Sequence, residues 1–301
     1  MKLTILGCYS ATPRADAHPT SQVLQIKNHQ FLLDCGEGTQ RQLRKYKISF
    51  ARIKHIFITH LHGDHVYGLI GFISTMSLLN RQQELNVYGP KGIKELIEVQ
   101  LKLSKSRVSF PLNFHELTGK KPQLIFEDDK VSVETIPLEH RVYTNGYLFK
   151  EKLGPRKLLV EKAEKYNIDV AFYNNIKAGK DVVSEDGKTI PNEEITAPPP
   201  PPKSYAFCTD TVYKPDIVEQ IKNVTTLYHE ATFQEDKLDL CDFTKHSTAK
   251  QAGMIAKQAN AGKLILGHYS SRYKNLKGFK TEAETVFPHV ELARDGKVFD
   301  L

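Results

Sequence analysis

Between His55 and His65 the chain reads HIFITHLHGDH: an apolar run that stops at Thr59, then four metal-binding side chains, His60, His62, Asp64 and His65, within six residues. Branched and aromatic residues favour an extended backbone, in which alternate side chains point the same way, so His60 and His62 can grip one ion from the end of a strand. Gly63 permits a sharp change of direction that can aim Asp64 and His65 at a second ion. Four such groups at one strand terminus repel one another and lose water at a cost, unless a cation compensates them. Mixed imidazole and carboxylate donors suit zinc first, with manganese, iron and cobalt as substitutes.

The rest of the 301 residues frames that strand. LTILG, VLQIK and FLLDCG precede it as short apolar runs separated by turn residues, a strand-rich opening. Beyond His65 the spacing predicts helices around 67–79 and 92–103, with LNVYGP as a strand between them. Further strands are expected at VSVETIPL, YLFK, SYAFCT, TTLYHEA and KLILGH. A helix is expected over 248–259, where Ala249, Ala252, Ile255, Ala256 and Ala259 share one face and Ser247 is placed as its cap. Two strand-rich halves in sequence are compatible with a two-sheet sandwich.

With 40% hydrophobic and 26% charged residues the composition is that of a globular chain. No apolar run is long enough for a membrane span. The amino terminus reads as a first strand rather than a signal peptide. Cys8, Cys35, Cys208 and Cys241 are scattered without a CxxC pair, which fits a reducing, cytoplasmic setting. The net charge of +7 is unevenly spread: residues 37–55 hold six basic groups against one acid, residues 150–180 eight against four, and residues 251–281 six against none. These segments sum to +15 and leave −8 elsewhere, a segregation that suits a polyanion lying across one face. Between Lys150 and Ser204 the pattern changes to a charged helical piece (LLVEKAEKY), an EDGK turn and five consecutive prolines, Pro198 to Pro202. That region, 150–204, is read as an arm inserted into a single domain covering 1–301.

The run His60-Leu61-His62-Gly63-Asp64-His65 resembles the HxHxDH signature of the metallo-β-lactamase superfamily. The resemblance implies an α/β four-layer αββα sandwich with two metals at the edge between the sheets. It also implies further ligands, for which His140 in PLEH, Asp210 in FCTDT and His268 in LILGHYS stand at or just after strand ends. By analogy His60, His62, His140 and Asp210 would hold one ion, and Asp64, His65, Asp210 and His268 the other, with Asp210 bridging. DCGEGTQRQL (34–43), HEATF (229–233), KHSTAKQAG (245–253) and GHYSSRY narrow the likeness to the ribonuclease Z family of tRNA 3′-processing endonucleases, nearly end to end.

That resemblance implies two zinc ions per chain, precursor tRNA as partner, a homodimer, and cleavage after the discriminator nucleotide to leave a tRNA 3′-OH and a trailer 5′-phosphate. Asp64 is the implied base. His246 is the candidate acid for the leaving sugar oxygen, with Glu230 orienting it and keeping it cationic. Thr248, Ser270 and Arg272 are candidates for holding phosphate oxygens. The 150–204 segment sits where that family has its tRNA-binding arm, although it carries DVAFYNN (169–175) in place of a Gly-Pro-rich tip. The loop SATPRADAH likewise departs from the family's glycine-rich version. Two other readings stay open: a hydrolase of small phosphodiesters, and a noncatalytic nucleic-acid-binding scaffold of the same fold.

Overall fold

In the computed structural model, which describes every residue except Glu185, alternation along the strands builds two layers from one sequence pattern. In the first sheet Leu32, Ile56, Ile58 and Val87 face a helical layer made by Leu43, Val66, Leu69, Phe72, Ile73, Met76, Ile93 and Ile97. The neighbouring residues Phe31 and Phe57 point the opposite way, as a period of two requires. There they meet the second sheet, with Phe31 to Phe149 at 5.4 Å and Phe57 to Tyr147 at 5.2 Å between ring centroids. Aromatic side chains that each bury upwards of roughly 150 Å² thus form the seam.

Each large sheet has seven strands. The first runs Val298–Asp300, Lys2–Gly7, Ser21–Ile26, His29–Leu33, Ile53–Phe57, Leu85–Pro90, Leu112–Leu117, antiparallel as far as His29–Leu33 and parallel thereafter. The second runs Val290–Leu292, Leu264–Gly267, Thr226–Glu230, Ser204–Cys208, Asn145–Glu151, Val131–Pro137, Leu124–Glu127, and its first four strands are mutually parallel. The helices Ala249–Gln258 and Lys277–Glu284 cover its outer face. They approach closely because residue 253 is glycine: a Cβ there would stand 2.6 Å from Val286 Cγ2. The layering is αββα. Parallel strands place their carboxyl ends together, and open parallel sheets bind ligands at that end.

Local chemistry moves two expected boundaries. The first long helix runs Gly63–Leu78, one turn earlier than the spacing predicts, because His62 is still extended (φ −68°, ψ 149°) and the backbone turns at Gly63. Asp64 and His65 therefore lie in its first turn, where the exposed amides favour a carboxylate. In the later helix Thr248, not Ser247, is the cap: its hydroxyl accepts from Gln251 N while the Gln251 side chain accepts from Thr248 N. Ser247 Oγ instead donates to Thr211 O at 2.7 Å.

Residues 128–131 and 151–202 form a second compact unit. It carries its own core of Leu158, Ala163, Ile168, Ile176, Val182, Ile190 and Ile195, with the buried Asn192 amide donating to Ile176 O and Lys180 O. LLVEKAEKY supplies the helix Val160–Lys165. Of the EDGK turn, Glu185 lies outside the described residues, and Gly187 takes a left-handed φ of 75°. DVAFYNN folds as a short 3₁₀ turn, Val170–Phe172, capped by Asp169 and leading into the helix Tyr173–Lys177, with Val170 and Phe172 exposed. Among the described residues no helix is long and apolar enough to cross a membrane.

Candidate active site

Four strands deliver the candidate ligands. His60, His62, Asp64 and His65 follow Ile53–Phe57, His140 follows Val131–Pro137, Asp210 follows Ser204–Cys208 and His268 follows Leu264–Gly267. Asp210 and His268 hold left-handed φ values of 53° and 60°, as does Asp34 at 52°. Such backbone is uncommon outside glycine, and here it turns each side chain out of its strand.

The side chains converge as two groups. In the first, His60 Nε2 stands 3.0 Å from His62 Nδ1 and 3.6 Å from Asp210 Oδ2, and His140 Nε2 stands 3.3 Å from His62 Nδ1 and 3.8 Å from Asp210 Oδ2. In the second, His65 Nε2 and His268 Nε2 are 3.4 Å apart, each is 3.2 Å from Asp210 Oδ1, and they lie 3.3 and 3.4 Å from Asp64 Oδ2. Four donors about 2.0–2.1 Å from one ion in a tetrahedron stand about 3.3 Å from one another. Both groups have that spacing, and Asp210 gives one oxygen to each.

Hydrogen bonding fixes which ring nitrogens face inward. The Thr59 hydroxyl donates its single proton to the buried Asp34 carboxylate at 3.0 Å, so toward His60 it accepts, from Nδ1–H at 3.1 Å. Asp34 also accepts from His65 Nδ1–H at 2.7 Å. Thr232 repeats the device: its hydroxyl donates to Glu230 Oε2 at 2.6 Å and accepts from His268 Nδ1–H at 2.9 Å. His140 Nδ1–H donates to Lys245 O at 2.9 Å. With Nδ1 committed in four rings, the Nε2 lone pairs point at one another and at carboxylates, an arrangement that needs a cation. Burial holds His60 well below the usual imidazole range and lowers His62 and His140, which keeps these rings neutral and able to ligate. Burial opposes charge on His65 too, but Asp210, Asp64 and Asp34 outweigh it and push that ring well up. The pocket draws positive charge.

Glu230 is fully buried and accepts four bonds, from Thr211 N, Thr232 N, Thr232 Oγ1 and His246 Nδ1, the last at 2.8 Å. Burial alone would raise Glu230 and lower His246, yet each stabilises the other's charge: the carboxyl falls below its usual range and the imidazole rises to about 9. His246 stacks on His268 at 5.3 Å and meets His140 at 5.1 Å. The Glu230 carboxylate thus holds His246 cationic beside both groups.

The three phosphate candidates are placed differently. Thr248 is buried at its helix cap, its hydroxyl donating to Glu235 Oε1 at 2.8 Å. Ser270 is nearly buried, its amide donating to Thr232 O at 3.1 Å, and Arg272 is exposed. A cleft of about 1040 Å³ opens beside His62 and Asp64, walled by the SATPRADAH loop, Arg41, Tyr67 and Arg141.

Asp34, Thr59 and Thr232 orient the candidate ligands through hydrogen bonds that motif spacing did not reveal. Asp34 alone had a signal in the sequence, a lone carboxylate closing the apolar run FLL. Other histidines join neither ligand group: His18 lines the cleft but is tied to Asp295 at 2.8 Å. His55 and His115 flank Tyr88 within the first sheet, and His229 is buried with Nδ1 donating to Glu230 O.

Residues 1–153 match the family model described as Anti-Pycsar protein Apyc1. A ribonuclease Z of Porphyromonas gingivalis is 46% identical over 99% of this chain and 98% of its own length. The crystal structure of human tRNase Z, short form, superposes with a TM-score of 0.72 at 27% identity, covering 100% of this chain and 99% of that one. A metallo-β-lactamase fold protein of Bacillus subtilis shares the fold, with a TM-score of 0.69 at 19% identity over 99% of this chain and 98% of that one. Likeness of this extent, along the whole length and at the level of sequence as well as fold, shows that the chain belongs to the ribonuclease Z family and has the metallo-β-lactamase fold.

Proposed function

We propose that this endoribonuclease removes the 3′ trailer from precursor tRNA, cutting after the discriminator nucleotide to leave a tRNA 3′-OH and a trailer 5′-phosphate, with two zinc ions at the paired groups. The observation that carries the proposal is the sharing of Asp210 between two donor sets of tetrahedral spacing. His60, His62, His140 and Asp210 would hold one ion; Asp64, His65, His268 and Asp210 the other. The all-nitrogen-and-oxygen donor set favours zinc, with manganese, iron or cobalt as substitutes. Two bound ions of this kind supply an activated water and a clamp on phosphoryl oxygens during in-line displacement.

The chain's own groups do the rest. Asp64, held ionised by His65 and His268 against the cost of burial, accepts the proton of the attacking water. His246, cationic beside Glu230, gives its proton to the departing 3′ oxygen. Ser270 and Arg272 follow the ligand candidate His268 in the chain and would contact phosphate oxygens, while Thr248 acts through its helix cap. The basic 150–204 arm positions the tRNA body through phosphates without reading sequence.

A homodimer is supported by the exposure of Leu78 (82%) and Leu103 (78%) at the ends of helices Gly63–Leu78 and Ile93–Leu103. The two helices touch one another, and exposed apolar side chains on neighbouring elements are a feature of contact sites. Four free, buried cysteines fit work in the cytoplasm.

The decisive experiment incubates the zinc-loaded protein with a 3′-extended precursor tRNA, with and without chelator, and maps both product ends. A chelator-sensitive cut after the discriminator is expected. No cleavage, with a small chromogenic diester still hydrolysed, would point to the small-diester reading. Removing residues 151–202 should lower precursor cleavage by about 100-fold while changing diester hydrolysis by less than about threefold; equal losses would end the arm's role.

A further inference from the structure

We propose that Tyr67 is the stacking platform for the first nucleotide of the 3′ trailer, an inference that rests on the endoribonuclease reading above. Tyr67 lies on the helix Gly63–Leu78, one turn after Gly63 and three residues after Asp64. Helical side chains lean back over the preceding turn, and this ring does so closely: a Cβ at residue 63 would stand 2.3 Å from Tyr67 Cε2. Glycine at 63 therefore lets the phenol lie against the backbone that carries the candidate ligands. The ring is nevertheless 65% exposed, on the wall of the 1040 Å³ cleft that adjoins His62 and Asp64. Among the described residues its hydroxyl has no hydrogen-bond partner.

The surroundings select a nucleotide. Arg14, Arg41 and Arg141 line the same cleft, against Glu37 and the ligand Asp64 as its acids. Arg14 is paired with Asp16 at 3.2 Å, which leaves Arg41 and Arg141 as the cations open to phosphate. An exposed ring among guanidinium groups is the combination that binds single-stranded nucleic acid, by stacking bases and tracking the backbone.

The direction of cleavage says which nucleotide. Protonation of the 3′ oxygen by His246 sets the discriminator sugar on the His246 side. Neither His246 nor Glu230 lines the cleft. The phosphate stays with the trailer, whose first base then passes His62 and Asp64 into the cleft and meets Tyr67.

The test uses zinc-loaded wild type, Tyr67→Ala and Tyr67→Phe on two precursor tRNAs identical except for a base or an abasic sugar at the first trailer position. Loss of the base should lower wild-type kcat/KM about tenfold, equivalent to ~1.4 kcal/mol. Tyr67→Ala should lose a similar factor on the intact precursor and be nearly indifferent to the missing base, while Tyr67→Phe behaves as wild type. Wild-type indifference to the abasic sugar, which no folding defect can produce, would overturn the proposal. So would losses that simply multiply in the Ala variant. Wild type that cleaves neither precursor yet hydrolyses a chromogenic diester would remove the endoribonuclease reading, and this inference with it.

Discussion

Asp34 and Glu230 are matching carboxylates in the two sheets, both fully buried, one just beyond and one at the carboxyl end of a parallel strand. Each accepts a hydrogen bond from a threonine hydroxyl that in turn accepts from an imidazole: Asp34 through Thr59 to His60, Glu230 through Thr232 to His268. They differ in their second histidine. Asp34 holds His65, which is wholly buried and faces the second ligand group, whereas Glu230 holds His246, which is partly open to the rim. On the function proposed above, identical wiring would orient a ligand where water is shut out and charge an acid where substrate arrives.

Removing Asp34 should break the comparison hardest. In Asp34→Ala, His65 Nδ1, Thr59 N and Thr59 Oγ1 lose their shared acceptor. Outer-shell losses of this type reduce metal affinity about 10–100-fold, so competition with a chelator should show one of two ions released early and activity lost with it. Retention of both ions at wild-type affinity would separate Asp34 from the metal.

Glu230→Gln should disturb the ions less and change the pH profile instead. With Glu230 present His246 stays protonated up to about pH 9, so turnover limited by the acid falls only above that. Without the carboxylate the alkaline limb should move down by at least about one pH unit, which lowers kcat at pH 9 by about fivefold or more and changes it little near neutrality. The sign for stability follows the raised imidazole: the pair's contribution is full below the ordinary histidine range and fades as pH rises through about 9. Melting curves of the variant should lack that alkaline decline, and an unmoved limb would remove His246 as the acid.

The smallest effects belong to the threonines. Thr59→Val and Thr232→Val each delete one relay, worth ~1 kcal/mol, and should weaken metal retention by about tenfold or less. If Thr232→Val also shifts the pH limb, Glu230 serves its two histidines as one network; if not, the two roles are separable.

Much of this site was legible because its chemistry is local. His60, His62, Asp64 and His65 sit within six residues, and alternation plus one glycine dictates their directions. His140, Asp210 and His268 required the family likeness, since nothing in PLEH or FCTDT alone says that those strands end beside Thr59. The relays were hidden because a threonine's role depends on which acceptor its single proton meets. The strand-rich opening and the parallel strands ending at Cys208, Glu230 and Gly267 followed from apolar runs. Leu124–Glu127 and Val298–Asp300 did not stand out, being short edge strands with little burial. The cap fell to Thr248 over Ser247 because the reciprocal bond from Gln251 decides between adjacent hydroxyls.

The left-handed backbone at Asp210 and His268 means that the most active geometry and the most relaxed chain are different sequences. Glycine at 268 would ease the main chain while deleting an imidazole, so a screen for heat tolerance alone would drift toward dead protein. For trapping substrate, Asp210→Asn is the better choice than Asp210→Ala, because asparagine accepts that backbone readily and alanine does not.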